Sequence, residues 1–215
     1  MESSALEERA LYMDWIKRSL QADYYIVPAL VVAFGASQAF LLYLTGEPYT
    51  LVSKLGVVYG SIDKGEYWRF LTGPFLHVDF GHWIVNFISL VFFAAMMSAF
   101  PNRILHLLLM ISAISGSAIA AYLRYTYTDS QTQLFDGFAG ISGGVFYLQG
   151  FLLANAFRYA WWYPARTWVF LLLIVATNLT IPTLIQTNTS VLSHVFGLCI
   201  GISLGACFQP SCGRH

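Results

Sequence analysis

Residues 138–144 read FAGISGG, and an apolar run follows over 141–160. A hydroxyl opens a stretch long enough to cross a bilayer, and glycines hold the positions around it. A transmembrane helix needs roughly 20 mostly apolar residues. Six runs of that kind occur, at 25–45, 83–100, 104–123, 141–160, 167–186 and 190–208. The composition agrees: 57% of the 215 residues are hydrophobic and only 10% are charged. That balance is too apolar for a soluble domain of this size and predicts an integral membrane protein. The formal net charge is zero, so no polyanionic partner is implied and nucleic acid is not an expected ligand.

The runs divide the chain simply. Residues 1–24 form an N-terminal segment, 25–208 one six-helix membrane domain, and 209–215 a short tail. The first segment carries eight charges of both signs and is not a signal peptide. Ser4-Ala5-Leu6-Glu7 has the form of a capping box. Leu6, Ala10, Met13, Ile16 and Leu20 recur near helical spacing, so an amphipathic surface helix is expected there. With the N-terminus inside, seven Lys and Arg residues fall on the inner side and four on the outer. The positive-inside rule then favours both termini inside. The aromatic-rich connection 46–82 lies outside in that arrangement and is expected to be partly embedded in the outer leaflet. Cys199, Cys207 and Cys212 are an odd number near one end of the last span, which argues against a disulfide framework.

Polar side chains at membrane depth are costly and therefore are functional candidates. Ser142 opens the fourth span. His194 lies one turn into the sixth. His82 and Asn86 are four residues apart at the start of the second and share a helical face, with His77 five residues earlier. A serine at a helix start is commonly an N-cap. Yet Gly140, Gly143 and Gly144 clear the space around this hydroxyl. The unpaired N–H groups of a first helical turn also favour negative charge. A nucleophile there has part of an oxyanion hole built in. It needs a base, and no Asp or Glu follows Asp136. A buried carboxylate within the later spans is thus excluded, leaving a Ser142–His194 dyad. Gly197, Gly201 and Gly205 form a small-residue ridge that would draw the sixth helix against the fourth. His82 and Asn86 can both donate to an oxyanion; the alternative is hydrogen-bonding glue between helices. A metal site at His77, His82 and His194 would lack a carboxylate and any HExxH spacing, so no metal or cofactor is expected.

Taken together these residues resemble the rhomboid family of intramembrane serine proteases. HVDFGHWIVN at 77–86 is similar to the family's H-x4-H-x3-N pattern. Gly140-Ile141-Ser142-Gly143 resembles its GxSG motif. His194-Val195-Phe196-Gly197 with Gly201 resembles HxxGxxxG, and Trp68-Arg69 its loop WR pair. The resemblance covers about 64–204. It implies a six-transmembrane-helix bundle, all α, with a membrane-embedded first outer loop. It implies Ser142 as nucleophile and His194 as general base and acid. His82, Asn86 and the Ser142 N–H would bind the oxyanion, and Trp68 and Arg69 would shape the loop. Substrates would be transmembrane proteins, the setting a lipid bilayer, and the expected place a bacterial cytoplasmic membrane, or a cell or organelle membrane in a eukaryote. It further implies a fourth helix that starts below the outer surface, with 125–140 dipping inward beside a wet cavity.

Two departures stand out. Where many members have Tyr one turn after the nucleophile, this chain has Phe146, which can stack on the histidine but not hydrogen-bond. The family's Glu-x-x-x-Gly-Ser run before the third span is absent from AFPNRILH at 99–106, which leaves Arg69 without that partner. Two other classes compete. A six-helix transporter predicts polar residues along several spans and inverted repeats, and neither occurs. A non-catalytic membrane chaperone would work without Ser142.

Overall fold

The computed structural model describes residues 26–47, 50–97, 100, 103–127, 137–160, 163, 167–185 and 191–209. The surface helix expected within 1–24, most of the polar run at 126–133 and the tail beyond 209 lie outside these residues. The described chain is mostly helical. In order it forms α1 (Ile26–Thr45), α2 (Thr50–Leu55), β1 (Val57–Val58), α3 (Tyr59–Ile62), α4 (Arg69–Thr72), a 3-10 turn (Gly73–Phe75), α5 (Phe80–Met97), α6 (Arg103–Tyr127), β2 (Gly137–Phe138), α7 (Ser142–Arg158), α8 (Thr167–Ile185) and α9 (Val191–Gly205). The six long helices overlap the six apolar runs one for one. α5 starts earlier than the apolar count suggested because Asp79 caps it: its Oδ1 accepts the His82 N–H at 2.8 Å. α6 runs on past Leu123 to Tyr127.

Among the described residues two helices are long and apolar enough to cross a membrane, α1 from Pro28 and α6 from Ile104. A third candidate arises if Arg69–Phe75 and Phe80–Phe93, bent by 97°, count as one broken span. Their apolar side chains face outward in numbers. Phe40, Leu42, Leu44, Ile88, Ile104 and Leu108 are all exposed, as suits surfaces solvated by lipid rather than water.

α7 is the axis of the molecule. Every residue from Ser142 to Leu152 is buried, and Tyr147, Leu148, Phe151 and Leu152 form the middle of the core with Leu90, Phe93, Phe100 and Leu171. α9 lies against it backbone to backbone. A Cβ added at Gly197, Gly201 or Gly205 would collide with the carbonyl oxygen of Gly143, Tyr147 or Phe151 in turn. The ridge and the row of carbonyls share a four-residue step, so the two helices mesh in one register. At the far end Asn155 closes that register. Its Nδ2 donates to the Gly205 carbonyl at 2.9 Å and to that of Phe208, and its Oδ1 accepts from the Tyr163 hydroxyl at 2.8 Å.

The connection between α1 and α5 is an ordered layer at the Ser142 end of the molecule. Val57, Tyr59 and Ile62 pack with Ala118, Ala121 and Phe138. β1 pairs antiparallel with β2, Val57 with Phe138 and Val58 with Gly137. The first loop is thereby hydrogen-bonded to the segment that leads into Ser142. Buried Arg69 staples the layer: Nη1 donates to the carbonyls of Ser53 at 3.1 Å and Gly56 at 2.9 Å, and Nε to Glu66 at 2.7 Å. The missing partner before the third span is replaced by Glu66, three residues away in the same loop. Trp68 is itself a little under half exposed, with the Arg69 guanidinium 4.7 Å from its ring centre.

Candidate active site

The cap position of α7 is Ile141, which makes no side-chain cap bond, and Ser142 is the first helical residue. The capping explanation for this serine therefore does not hold. Its hydroxyl is instead 2.8 Å from His194 Nε2. With Nε2 unprotonated, the hydroxyl donates. Both side chains are buried, Ser142 to 8% exposure and His194 to 6%. The contact follows from the glycine ridge. Because Gly197 rests on the Gly143 carbonyl, the α9 backbone is close enough for a histidine one turn earlier to reach the first residue of α7. The His194 ring also stacks on Phe146, centroids 4.4 Å apart and planes at 23°. Phe146 is four residues from Ser142 and so on the same face. The ring is held from below by an aromatic plane that cannot hydrogen-bond to it.

His82 approaches from α5. Its ring lies against Gly140, where an added Cβ would come within 2.5 Å of His82 Cε1, and Gly140 has φ +116°. Glycine is needed at 140 twice over, for the backbone turn and for the imidazole. The β1–β2 ladder fixes the residues just before that turn. One turn along α5, Asn86 is buried, and its Nδ2 has no hydrogen-bond partner among the described residues. A buried amide donor of this kind is available to an incoming acceptor. His77 is buried too, its ring edge to face with that of His82 at 5.2 Å. Among the described residues there is no group of three His, Cys, Asp or Glu that could hold a metal ion.

The four residues singled out from sequence thus fall into two linked pairs. Ser142 and His194 share a hydrogen bond, and His82 and Asn86 share the α5 face beside Gly140. Asp79 has a local duty as the α5 cap. Asp129 and Asp136 lie outside the described residues. Sequence reasoning missed Ser117, which hydrogen-bonds to the Ala113 carbonyl at 2.8 Å and packs where a Gly143 side chain would go. It also missed Asn155 and Gln38. The available signal was an amide inside an apolar run. A groove of about 700 Å³ among Leu153, Phe157, Arg158, Trp168, Leu172 and Ile202 opens at the opposite end of α7 and includes neither Ser142 nor His194.

Comparison with known proteins identifies a family. The family model of the Rhomboid domain matches residues 64–211. A Bacillus subtilis (strain 168) protein named "Putative rhomboid protease YdcA" is 27% identical over 157 residues, covering 72% of this chain and 74% of that protein. The matched region contains all four candidate residues, the Arg69–Glu66 pair of the loop and the glycine ridge. The chain belongs to the rhomboid family.

Proposed function

We propose that this protein is an intramembrane serine endopeptidase that hydrolyses peptide bonds in or near transmembrane segments of other proteins. The observation that carries the reading is the 2.8 Å contact between Ser142 Oγ and His194 Nε2 in a buried, glycine-lined helix crossing. In this reading His194 takes the hydroxyl proton as Ser142 Oγ attacks the scissile carbonyl carbon. The carbonyl oxygen becomes an oxyanion and is met by the Ser142 N–H, the His82 imidazole and Asn86 Nδ2. His194 then gives its proton to the leaving amine, and an acyl-enzyme remains on Ser142. Water, deprotonated by His194, attacks the ester, and His194 returns that proton to Ser142 Oγ as the ester C–O bond breaks and the acyl product leaves. Among the described residues no carboxylate lies behind the imidazolium formed midway; the face of Phe146 at 4.4 Å offers a cation–π contact instead.

The same reading takes six membrane crossings with both termini inside and the α2–α4 layer at the outer leaflet. α7 has 17 residues, or about 25 Å of helix, against a hydrocarbon core of about 30 Å. A helix this short that reaches the inner face starts below the outer one, which puts Ser142 at a depth where a polar access path can wet it. The substrate helix must unwind locally, because its peptide groups are hydrogen-bonded and shielded.

The test is labelling of purified protein with a fluorophosphonate probe, alongside cleavage of a transmembrane substrate in liposomes. Wild type should label and cleave. Ser142→Ala should do neither while melting normally. Cleavage by a folded Ser142→Ala variant would refute the protease reading.

A further inference from the structure

Gln38 sits inside α1, a helix whose remaining side chains are mostly apolar and face outward. An amide there is costly unless both of its halves are bonded. Both are bonded, and to a single residue. Gln38 Oε1 accepts the His77 N–H at 3.0 Å, and Gln38 Nε2 donates to the His77 carbonyl at 2.9 Å. His77 lies in the break between the Gly73–Phe75 turn and α5, where the chain bends by 97°. Peptide groups at such a break lack helical partners, and the side chain supplies both. A reciprocal pair of bonds fixes the position and also the orientation of the residue it holds.

Three further contacts of α1 bear on the same segment. Trp83 Nε1 donates to the Val31 carbonyl at 3.0 Å, its indole fills the space left by Gly35, and Phe34 stacks on Phe75 at 5.5 Å. From His77 the path to the site is short. Its ring meets the His82 ring at 5.2 Å, and the His82 ring rests on Gly140, two residues before Ser142. Gln38 lies outside the 64–211 region that the family model covers.

We infer that Gln38 is a positioning residue: through His77, whose ring meets the His82 ring, it sets where the His82 imidazole stands to meet the carbonyl oxygen of the bond under attack. The inference rests on the protease reading for its catalytic consequence, but not for the hold on His77. Gln38→Met keeps the shape and removes both bonds. Gln38→Glu keeps an acceptor for the His77 N–H and loses the donor.

The experiment uses the full chain in liposomes and measures kcat, KM, melting temperature and amide hydrogen exchange over 76–82. For Gln38→Met, exchange should quicken and kcat should fall about ten- to hundredfold, the scale of a misplacement of about 1 Å. KM should stay within about twofold, since substrate binding is not touched. Gln38→Glu should be at least as slow as Gln38→Met, since a carboxylate oxygen then faces the His77 carbonyl. Gln38→Met with His82→Ala should be no slower than His82→Ala alone, because both act through one donor. Unchanged exchange in both variants, or losses that multiply in the double variant, would overturn the inference. So would a fall in kcat matched by a lower melting point and a proportionate rise in KM. If wild type shows no Ser142-dependent cleavage, the protease reading is what fails. Exchange then decides alone: faster exchange upholds the tether and unchanged exchange removes it.

Discussion

The two halves of the site are held by opposite means. Ser142 and His194 meet where α7 and α9 touch through backbone, glycine against carbonyl at Gly197, Gly201 and Gly205. His82 and Asn86 are aimed by side chains: the Asp79 cap, the Gln38 bridge to His77, and the Trp83 indole laid over Gly35. The first interface has no slack, because a backbone carbonyl cannot rotate out of the way as a side chain can. The second can lose one tether and keep its general shape. In the proposed reading the nucleophile and its base thus rest on a backbone-to-backbone contact, and the oxyanion donors on a set of separable hydrogen bonds. Disturbance of the first interface should therefore cost fold and activity together. Disturbance of the second should cost activity first.

The largest effect tests the rigid half. His194→Ala should be as inactive as Ser142→Ala, with initial cleavage rates at background, because members of one catalytic unit are strongly non-additive. The double variant should be no worse than either single one. A further loss in the double variant would mean that the two groups act separately, and the hydrogen bond at 2.8 Å would not be the catalytic one.

Next comes the oxyanion half. His82→Ala and Asn86→Ala should each slow cleavage by ~10²–10³, the usual contribution of one such donor, without abolishing it. The check is kcat measured under saturating substrate. Weak binding with full turnover of what binds would assign both residues to helix–helix glue.

Gly201→Ala sharpens the contrast in packing. The new methyl group meets the Tyr147 carbonyl and Phe151 N, so α9 must move away from α7. Overpacking of this kind costs about 1–3 kcal/mol, and melting should fall by several degrees. Cleavage should fall with it, since the Ser142–His194 contact depends on the same spacing. If melting drops and cleavage is untouched, the glycine ridge is not what sets that distance.

The smallest effect is expected at the loop acids. Asp79, Asp129 and Asp136 changed singly to Asn should leave activity within about tenfold, against the ~10⁴ lost when a serine protease loses an essential triad carboxylate. For Asp79 the capping role explains the tolerance, because Asn caps as well as Asp. A folded variant that loses a thousandfold would turn the dyad into a triad.

Much of this was legible in the chain itself. Apolar run length marked the six long helices, because long apolar runs need little tertiary context to form helix; the structure itself has two helices of membrane-crossing length and composition among the described residues, or three with the bent pair. The absence of any acid after Asp136 is a property of the string alone. So is the four-residue step of Gly197, Gly201 and Gly205, which foretold a close helix contact and its partner, α7. Spacing also put His82 and Asn86 on one face. Other features needed three dimensions, because they join positions far apart in sequence. Sequence left the Ser142 hydroxyl free to be a cap or a nucleophile; the packing of α9 turned it toward His194. Arg69 found Glu66 and two carbonyls in its own loop, a choice that depends on how α2 and α4 fold back on each other. The glycine at 140 could be read only as small; the fold gave it a left-handed turn and the His82 ring. Gln38 read as one polar residue in an apolar helix. A side-chain amide has no preferred partner until the backbone around it is built, and the break at His77, with two unmet peptide groups, exists only once α5 has bent away.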